Sequence, residues 1–329
     1  MKTSRRQALI ALCAASISVP LRAFAQQRSK PRRIGFLATY ASSANPEWRN
    51  AFKNGMHELG YLEERDYLVE YRFAGGDGSR LQALAAELIA LGVDLIVAPT
   101  TAAALAAHNK SRKIPIVIAT AAVPIEAGLA KSLSRPGMNV TGLTGLGGAL
   151  QPKRLELMRD ILPQLQRVGD VHNPDVLVDR LLAVEFQSGG RKLGITIVPL
   201  VVRTRSDLDA AFARLKQENA HALFVSPTVA NLSLRESLIE YAASNRIPAM
   251  YGSAEFAEKG GLISYSANFV DQYRRAAAYV DKIFKGANPA ELPIEQPTKF
   301  DLVVNARTAK ALGLAIPKSI LLRADRIIE

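Results

Sequence analysis

Apolar runs of strand length alternate with helix-length amphipathic segments along nearly the whole chain. This alternation restricts the fold more than any single motif does. Residues 33–38 form an apolar run bounded by Pro31 and a polar loop, which reads as a buried strand. Over 46–59 the apolar residues Phe52, Met56 and Leu59 recur at helical spacing, and Gly60 ends the segment. The pattern predicts further strands at 67–73, 94–98, 114–119 and 139–143, with helices at 80–91 and 101–109. Strands separated by helices of ~10–15 residues imply crossover connections and a parallel sheet covered on both faces.

The second half repeats the plan, with helices predicted at 154–162, 178–193 and 208–217 and strands at 167–171, 195–202 and 222–225. One pair of segments makes the repetition explicit. GVDLIVAPTTAA (Gly92 to Ala103) and AHALFVSPTVAN (Ala220 to Asn231) share an apolar strand, a small residue, Pro-Thr and a helix start. Each is followed by an Ile-Pro strand entry, at Ile114-Pro115 and at Ile247-Pro248. Two lobes of like topology, related as an internal duplication, are the simplest reading.

Two such lobes facing each other direct their strand ends into one crevice, where open α/β sheets bind ligands. The residues at those ends are Thr39, Tyr40, Thr100, Thr101, Thr120, His172, Asn173, Ser226, Thr228 and Tyr251. They are hydroxyls, amides and phenols rather than acid–base pairs, an inventory that favours recognition over chemistry. Thr100-Thr101 and Thr228 each stand between a strand and a helix start, where free N–H groups and the dipole favour an anionic group such as a carboxylate. Tyr40 and Tyr251 are expected to sandwich an apolar or aromatic body, and Trp48, near Tyr40, to report closure.

Other chemistries find little support. The four histidines include no H-E-x-x-H or paired spacing, so no metal is expected, and G-x-S-x-G is absent. The run from Gly142 to Gly148 lacks the third glycine of a dinucleotide loop and falls at the lobe junction, where it reads as a crossover. Gly75 to Ser79 lacks the lysine of a phosphate loop and reads as a turn, with Asp77 or Ser79 capping the next helix. Neither an enzyme activity nor a cofactor is expected.

Residues 1–25 read as a cleaved targeting segment. Lys2, Arg5 and Arg6 precede an apolar stretch from Ala8 to Val19, and Ala23-Phe24-Ala25 supplies the small-x-small cleavage pattern. The adjacent arginines leave both the general secretory and the twin-arginine routes open. Leu12 before Cys13 argues against a lipid anchor. Cleavage removes the single cysteine and the bases Lys2, Arg5, Arg6 and Arg22 but no acid, which takes the formal charge from +12 to +8. The remaining bases are scattered without aromatic interleaving, a solvated basic surface rather than a nucleic-acid site.

Several stretches together resemble the ABC transporter substrate-binding proteins of the type I periplasmic-binding-protein fold, in the branch that contains tryptophan/tyrosine-binding lipoproteins. They include NGMHELGYLEERDYLVEYRFAGGD, RLQALAAELIALGVDLIVAPTTAA and IPIVIATAAVPIEAGLAKSLSRPGMNVTGLT, then KRLELMRDILP, IPAMYGSAEFAEKGGLISYSANF and LPIEQPTKFDLVVNARTAKALGLAIP. The likeness spans nearly all of 31–329. One departure is Val123, where the family commonly carries an Asp before the proline.

The resemblance implies two Rossmann-like lobes with parallel sheets joined by a three-stranded hinge. Crossings are expected near 144–150, 265–268 and 298–301, which divides the chain into 31–146 plus 268–298 and 147–267 plus 299–329. It further implies a periplasmic protein that binds a small carboxylate-bearing solute, an aromatic amino acid among the candidates. Tyr40, Thr100, Thr101, Thr120, Asn173, Ser226, Thr228, Tyr251 and Tyr265 are the residues expected around it. The implied partners are ABC permease and ATPase subunits, or, alternatively, a membrane signalling protein that reads the ligand-bound shape.

Overall fold

The computed structural model describes residues 30–329, so the expected targeting segment and its cleavage site lie outside the described residues. From the N-terminal side, β1 (Arg32–Ala38), β2 (Tyr67–Phe73), β3 (Leu95–Val97), β4 (Ile116–Ala121) and β5 (Val140–Thr144) enter one sheet. A second sheet takes β6 (Arg167–His172), β7 (Thr196–Val201), β8 (Ala222–Val225), β9 (Ala249–Tyr251) and β10 (Ile263–Ala267). The chain returns to the first sheet for β11 (Ile294–Glu295) and ends in the second with β12 (Phe300–Asn305) and β13 (Arg326–Ile328).

The strand orders are β11-β5-β4-β3-β1-β2 and β13-β12-β10-β9-β8-β6-β7. Every pairing is parallel except β10 with β12. Two α/β lobes with mostly parallel sheets are therefore the architecture. Side-chain alternation divides each strand between two cores. On β3, Leu95 and Val97 join one apolar cluster and Ile96 joins the cluster on the opposite face. On β8, Ala222 and Phe224 face one cluster and Leu223 and Val225 the other. Helices cover both faces, as a period-2 apolar run requires. Pro199 is tolerated in β7 because β7 is an edge strand.

Three connections join the sheets: 145–150, Asn268 between β10 and the helix Phe269–Phe284, and 296–299. The Asn268 side chain donates to Asp301 Oδ1 at 3.1 Å and its N–H donates to the Lys299 carbonyl at 3.0 Å, tying two of them. Gln272 Nε2 donates to the Thr144 carbonyl at 2.7 Å, at the edge of the other. At Gly142, φ is +125° and a Cβ would lie 2.1 Å from the Ile118 carbonyl oxygen, so β5 can pass β4 there only with glycine.

Most element limits fall within two residues of the sequence expectation, but the helix expected from 154 begins at Gln151. Pro152 suits a first helical turn. The earlier start sets Arg154 a turn inside the helix, where it is 1% exposed. Asp77 caps the short 3-10 turn Gly78–Arg80 through Ser79 N–H at 3.0 Å. Among the described residues no helix is long and apolar enough to cross a membrane.

Candidate functional site

A cavity of about 170 Å³ lies where the strand ends of both sheets meet. From the first sheet and its helices come Thr39, Tyr40, Trp48, Thr100, Thr101 and Thr120; from the second come Val178, Asp179, Leu182 and Thr228. Gly145 and Gly147 of the first connection and Phe269 after the second complete the wall. At Gly147 a Cβ would come within 2.9 Å of both Ala122 and Leu182, so this connection runs close against each lobe.

The hydroxyls of the first wall are already engaged. Thr39 and Thr100 share a hydrogen bond of 2.7 Å between their Oγ1 atoms. Thr100 also caps the helix Thr101–Lys110, accepting from Ala103 N–H at 3.3 Å. Thr101 Oγ1 accepts from Ala122 N–H at 3.0 Å, and Thr120 Oγ1 donates to the Pro99 carbonyl at 3.1 Å. The N–H groups of Thr101 and Ala102 have no partner within the helix, and both residues line the cavity. Tyr40 meets the Tyr273 hydroxyl at 3.0 Å, and burial pushes its phenol well above the ordinary tyrosine range. Trp48 packs between Tyr40 and Phe269, edge-on to both, and stacks on Tyr273 at 5.4 Å.

The second wall carries charge. Arg154 donates from Nε to the Tyr265 carbonyl at 2.8 Å and from Nη1 to Gln151 Oε1 at 3.2 Å. Its remaining donors reach the Gly147 and Gly252 carbonyls at 3.5 Å, and its guanidinium lies 5.7 Å from the Phe224 ring centroid. Desolvation lowers its pKa to about 9, so it remains a cation at neutral pH. Asp179, 1% exposed, accepts from Asn173 N–H at 3.0 Å through Oδ2, while Oδ1 has no partner. Burial raises its pKa, partly offset by that N–H and the Thr228 hydroxyl. Behind it in β6, neither oxygen of Asp170 has a hydrogen bond, Oδ2 lies 3.8 Å from His172 Nδ1, and the carboxyl is pushed up to about 7 by desolvation, then by the Asp179 charge.

Of the residues expected around a ligand, Tyr40, Thr100, Thr101, Thr120 and Thr228 come together on the cavity and four do not. Asn173 shapes the turn before the helix Leu177–Leu193, accepting from Asp175 N–H at 3.0 Å. Ser226 is buried, with its carbonyl accepting from Asn231 at 3.1 Å. Tyr251 lies in the second-lobe core, 1% exposed and stacked on Phe256 at 4.7 Å. A Cβ at residue 261 would fall 2.5 Å from its ring, so Gly261 makes that inward placement sterically possible. Tyr265 stacks on Phe300 at 5.9 Å and offers only its carbonyl, to Arg154. The sandwich of Tyr40 and Tyr251 is therefore not formed; Trp48, Tyr40 and Phe269 oppose Val178, Leu182 and Leu232 instead. Thr228 caps only the five-residue helix Val229–Ser233, too short for a helix-start anion site, and contributes its side chain alone.

Arg154 and Asp179 stand on helices, away from the strand ends that point to the cavity. A signal existed: Asp179 opens the stripe Asp179, Leu182, Ala183, Phe186 at i, i+3, i+4, i+7, and Arg154 lies on the stripe of Met158 and Ile161. A charge on an apolar stripe is a buried charge.

The family model described as ABC transporter substrate binding protein matches residues 34–328. The chain belongs to the ABC transporter substrate-binding protein family. A tyrosine-binding protein of Clostridioides difficile (strain R20291) is 23% identical over 285 residues, which cover 87% of this chain and 82% of the relative. An ABC domain from Streptococcus pneumoniae solved in complex with L-Trp superposes with a TM-score of 0.84 at 24% identity, covering 91% of this chain and 100% of the other. A conserved domain protein from Vibrio cholerae O1 biovar El Tor reaches 0.85 at 26% identity, with the same coverage. Like its relatives in this family, the chain is a binding protein and not an enzyme. Val123, the departure from the family pattern, is buried beside the cavity rather than in it.

Proposed function

We propose that this protein is the solute-receiving component of an ABC importer and holds an aromatic amino acid in the cavity between its lobes. The supporting observation is that cavity's composition: aromatic and aliphatic walls, a row of threonine hydroxyls, and a ten-residue helix start facing inward. The helix start suits a carboxylate, and Trp48, Tyr40, Phe269 and Leu182 suit a ring. The tyrosine-binding relative and the L-Trp complex point to the same ligand class. On this reading the protein is exported, cleaved after Ala25, resides in the periplasm, and delivers its ligand to permease and ATPase subunits at the inner membrane. Three chain connections between the lobes act as the hinge of closure. The lobes comprise 31–146 plus 268–298 and 147–267 plus 299–329.

Calorimetry of the protein starting at Gln26 against L-tryptophan, L-tyrosine, L-phenylalanine and a branched aliphatic amino acid tests the reading. Saturable one-to-one binding of at least one aromatic amino acid, recovered unchanged, is expected. Binding of none of the three overturns it.

A further inference from the structure

Among the described residues lining the cavity, Asp179 contributes the only carboxylate side chain, and one of its two oxygens is buried without a hydrogen bond. An unpaired buried carboxylate is strongly disfavoured unless a donor meets it. Among the described residues no donor is hydrogen-bonded to Oδ1. Arg154, the cation of the same wall, gives its hydrogen bonds to the Tyr265, Gly147 and Gly252 carbonyls and to Gln151. Asn173 N–H satisfies only Oδ2 of Asp179, and the nearby Thr228 hydroxyl leaves Oδ1 without a hydrogen bond. Asp170, just behind, holds two more oxygens without a hydrogen bond, and its Oδ2 lies 3.8 Å from His172 Nδ1. The opposite wall offers the N–H groups of Thr101 and Ala102, which have no partner within the helix. The cavity thus holds an unmet acceptor on the second-lobe side and backbone donors on the first.

We propose that Asp179 receives the α-ammonium group of the ligand, so that the cleft selects zwitterionic amino acids over acids of the same skeleton lacking the amine. The inference rests on the reading that an aromatic amino acid occupies this cavity. In the bound state the ammonium donates to Oδ1 of Asp179, while the ligand carboxylate turns to the start of the helix Thr101–Lys110. A charge-assisted hydrogen bond in a dry site separates ligands that make it from those that do not by about 10- to 100-fold.

The test compares two ligand pairs, L-tryptophan with indole-3-propionate and L-tyrosine with 3-(4-hydroxyphenyl)propionate, on the wild type and on Asp179→Asn. Asparagine keeps an acceptor for Asn173 N–H, so the loop before the helix Leu177–Leu193 retains its anchor. The wild type is expected to prefer the amino acid of the pair it binds by about 10-fold or more. In Asp179→Asn that preference should fall to within about 3-fold, while the ligand-free melting temperature stays level or rises because a buried charge is gone. A purely structural aspartate predicts the opposite, a lower melting temperature with the preference intact, and that result overturns the proposal. A wild type that binds an amino acid and its des-amino analogue equally also overturns it, while leaving the aromatic-acid cleft standing. Binding of neither member of either pair removes the functional reading itself, and this inference with it.

Discussion

Across the cavity, Thr39, Thr100, Thr101 and Thr120 spend their hydroxyls on one another and on nearby backbone, whereas Asp179 and Asp170 on the opposite wall keep three buried oxygens without a hydrogen bond. The two walls grow from similar sequence segments, each a strand followed by Pro-Thr and a helix start. A wall satisfied in advance needs no rearrangement to present its N–H groups, so it sets where a ligand sits. A wall with unmet hydrogen-bonding capacity gains most when the correct group arrives and tolerates its absence least, so it sets which ligand is held. Geometry on one side and discrimination on the other is the division of labour this contrast teaches.

Arg154 is the exception to the contrast, a second-wall charge with engaged donors, and its loss should have the largest effect on stability. Arg154→Met leaves the Tyr265, Gly147 and Gly252 carbonyls without their shared donor, where β10, the first chain connection and the end of β9 meet. Urea unfolding should show a loss of about 2–4 kcal/mol. Arg154→Lys should recover little of it, because one ammonium cannot span acceptors arranged for a planar fork. An unchanged midpoint in Arg154→Met would show that the guanidinium is not holding these segments.

Asp170 offers a pH test of the second wall. Its folded-state pKa, about 7, stands above the ordinary aspartate value of 3.8, so the folded protein binds this proton more tightly than the unfolded chain. Stability is therefore fully present below pH ~4, falls as the pH rises toward 7, and levels off above it. Glu255, also raised to about 7 by burial, acts in the same direction. Asp170→Asn should be more stable than wild type by about 1–3 kcal/mol at pH 8 and no more stable at pH 4. Melting temperatures of both proteins across that range decide it, and parallel curves would count against a buried Asp170 that lacks a hydrogen bond.

The first wall should respond more mildly. Thr100→Val removes the cap on the helix Thr101–Lys110 and the partner of Thr39. A stability loss of about 1 kcal/mol is expected, with ligand affinity down about 3- to 10-fold and both restored in Thr100→Ser. A larger loss of affinity here than in Asp179→Asn would invert the proposed division between the walls. The smallest effect belongs to Trp48, the only tryptophan, which is 5% exposed beneath Tyr40 and Phe269. L-tyrosine or L-phenylalanine binding should shift its emission when excited at the red edge; a flat titration with a ligand that binds by calorimetry would place closure away from this cluster.

Two parallel sheets with helices on both faces were legible from one dimension. Apolar spacing is a local property, and the segments around Pro99-Thr100 and Pro227-Thr228 carry the same spacing twice. Strand ends were legible for the same reason, which is how Tyr40, Thr100, Thr101, Thr120 and Thr228 were identified as a group that meets on the cavity. Spacing states that a side chain is buried but not against what. Tyr251 ends a strand as Tyr40 follows one, yet the bare backbone at Gly261 lets its ring turn into the second-lobe core. Asp179 and Arg154 look like helix-surface charges when read singly, and only the approach of the two lobes and of Gly145 and Gly147 between them encloses both at a common cavity. Which residues are apolar, and at what period, is written in the chain. Which charges lose their water is decided by surfaces that are distant in sequence, because desolvation depends on what packs over a group and not on its neighbours along the backbone.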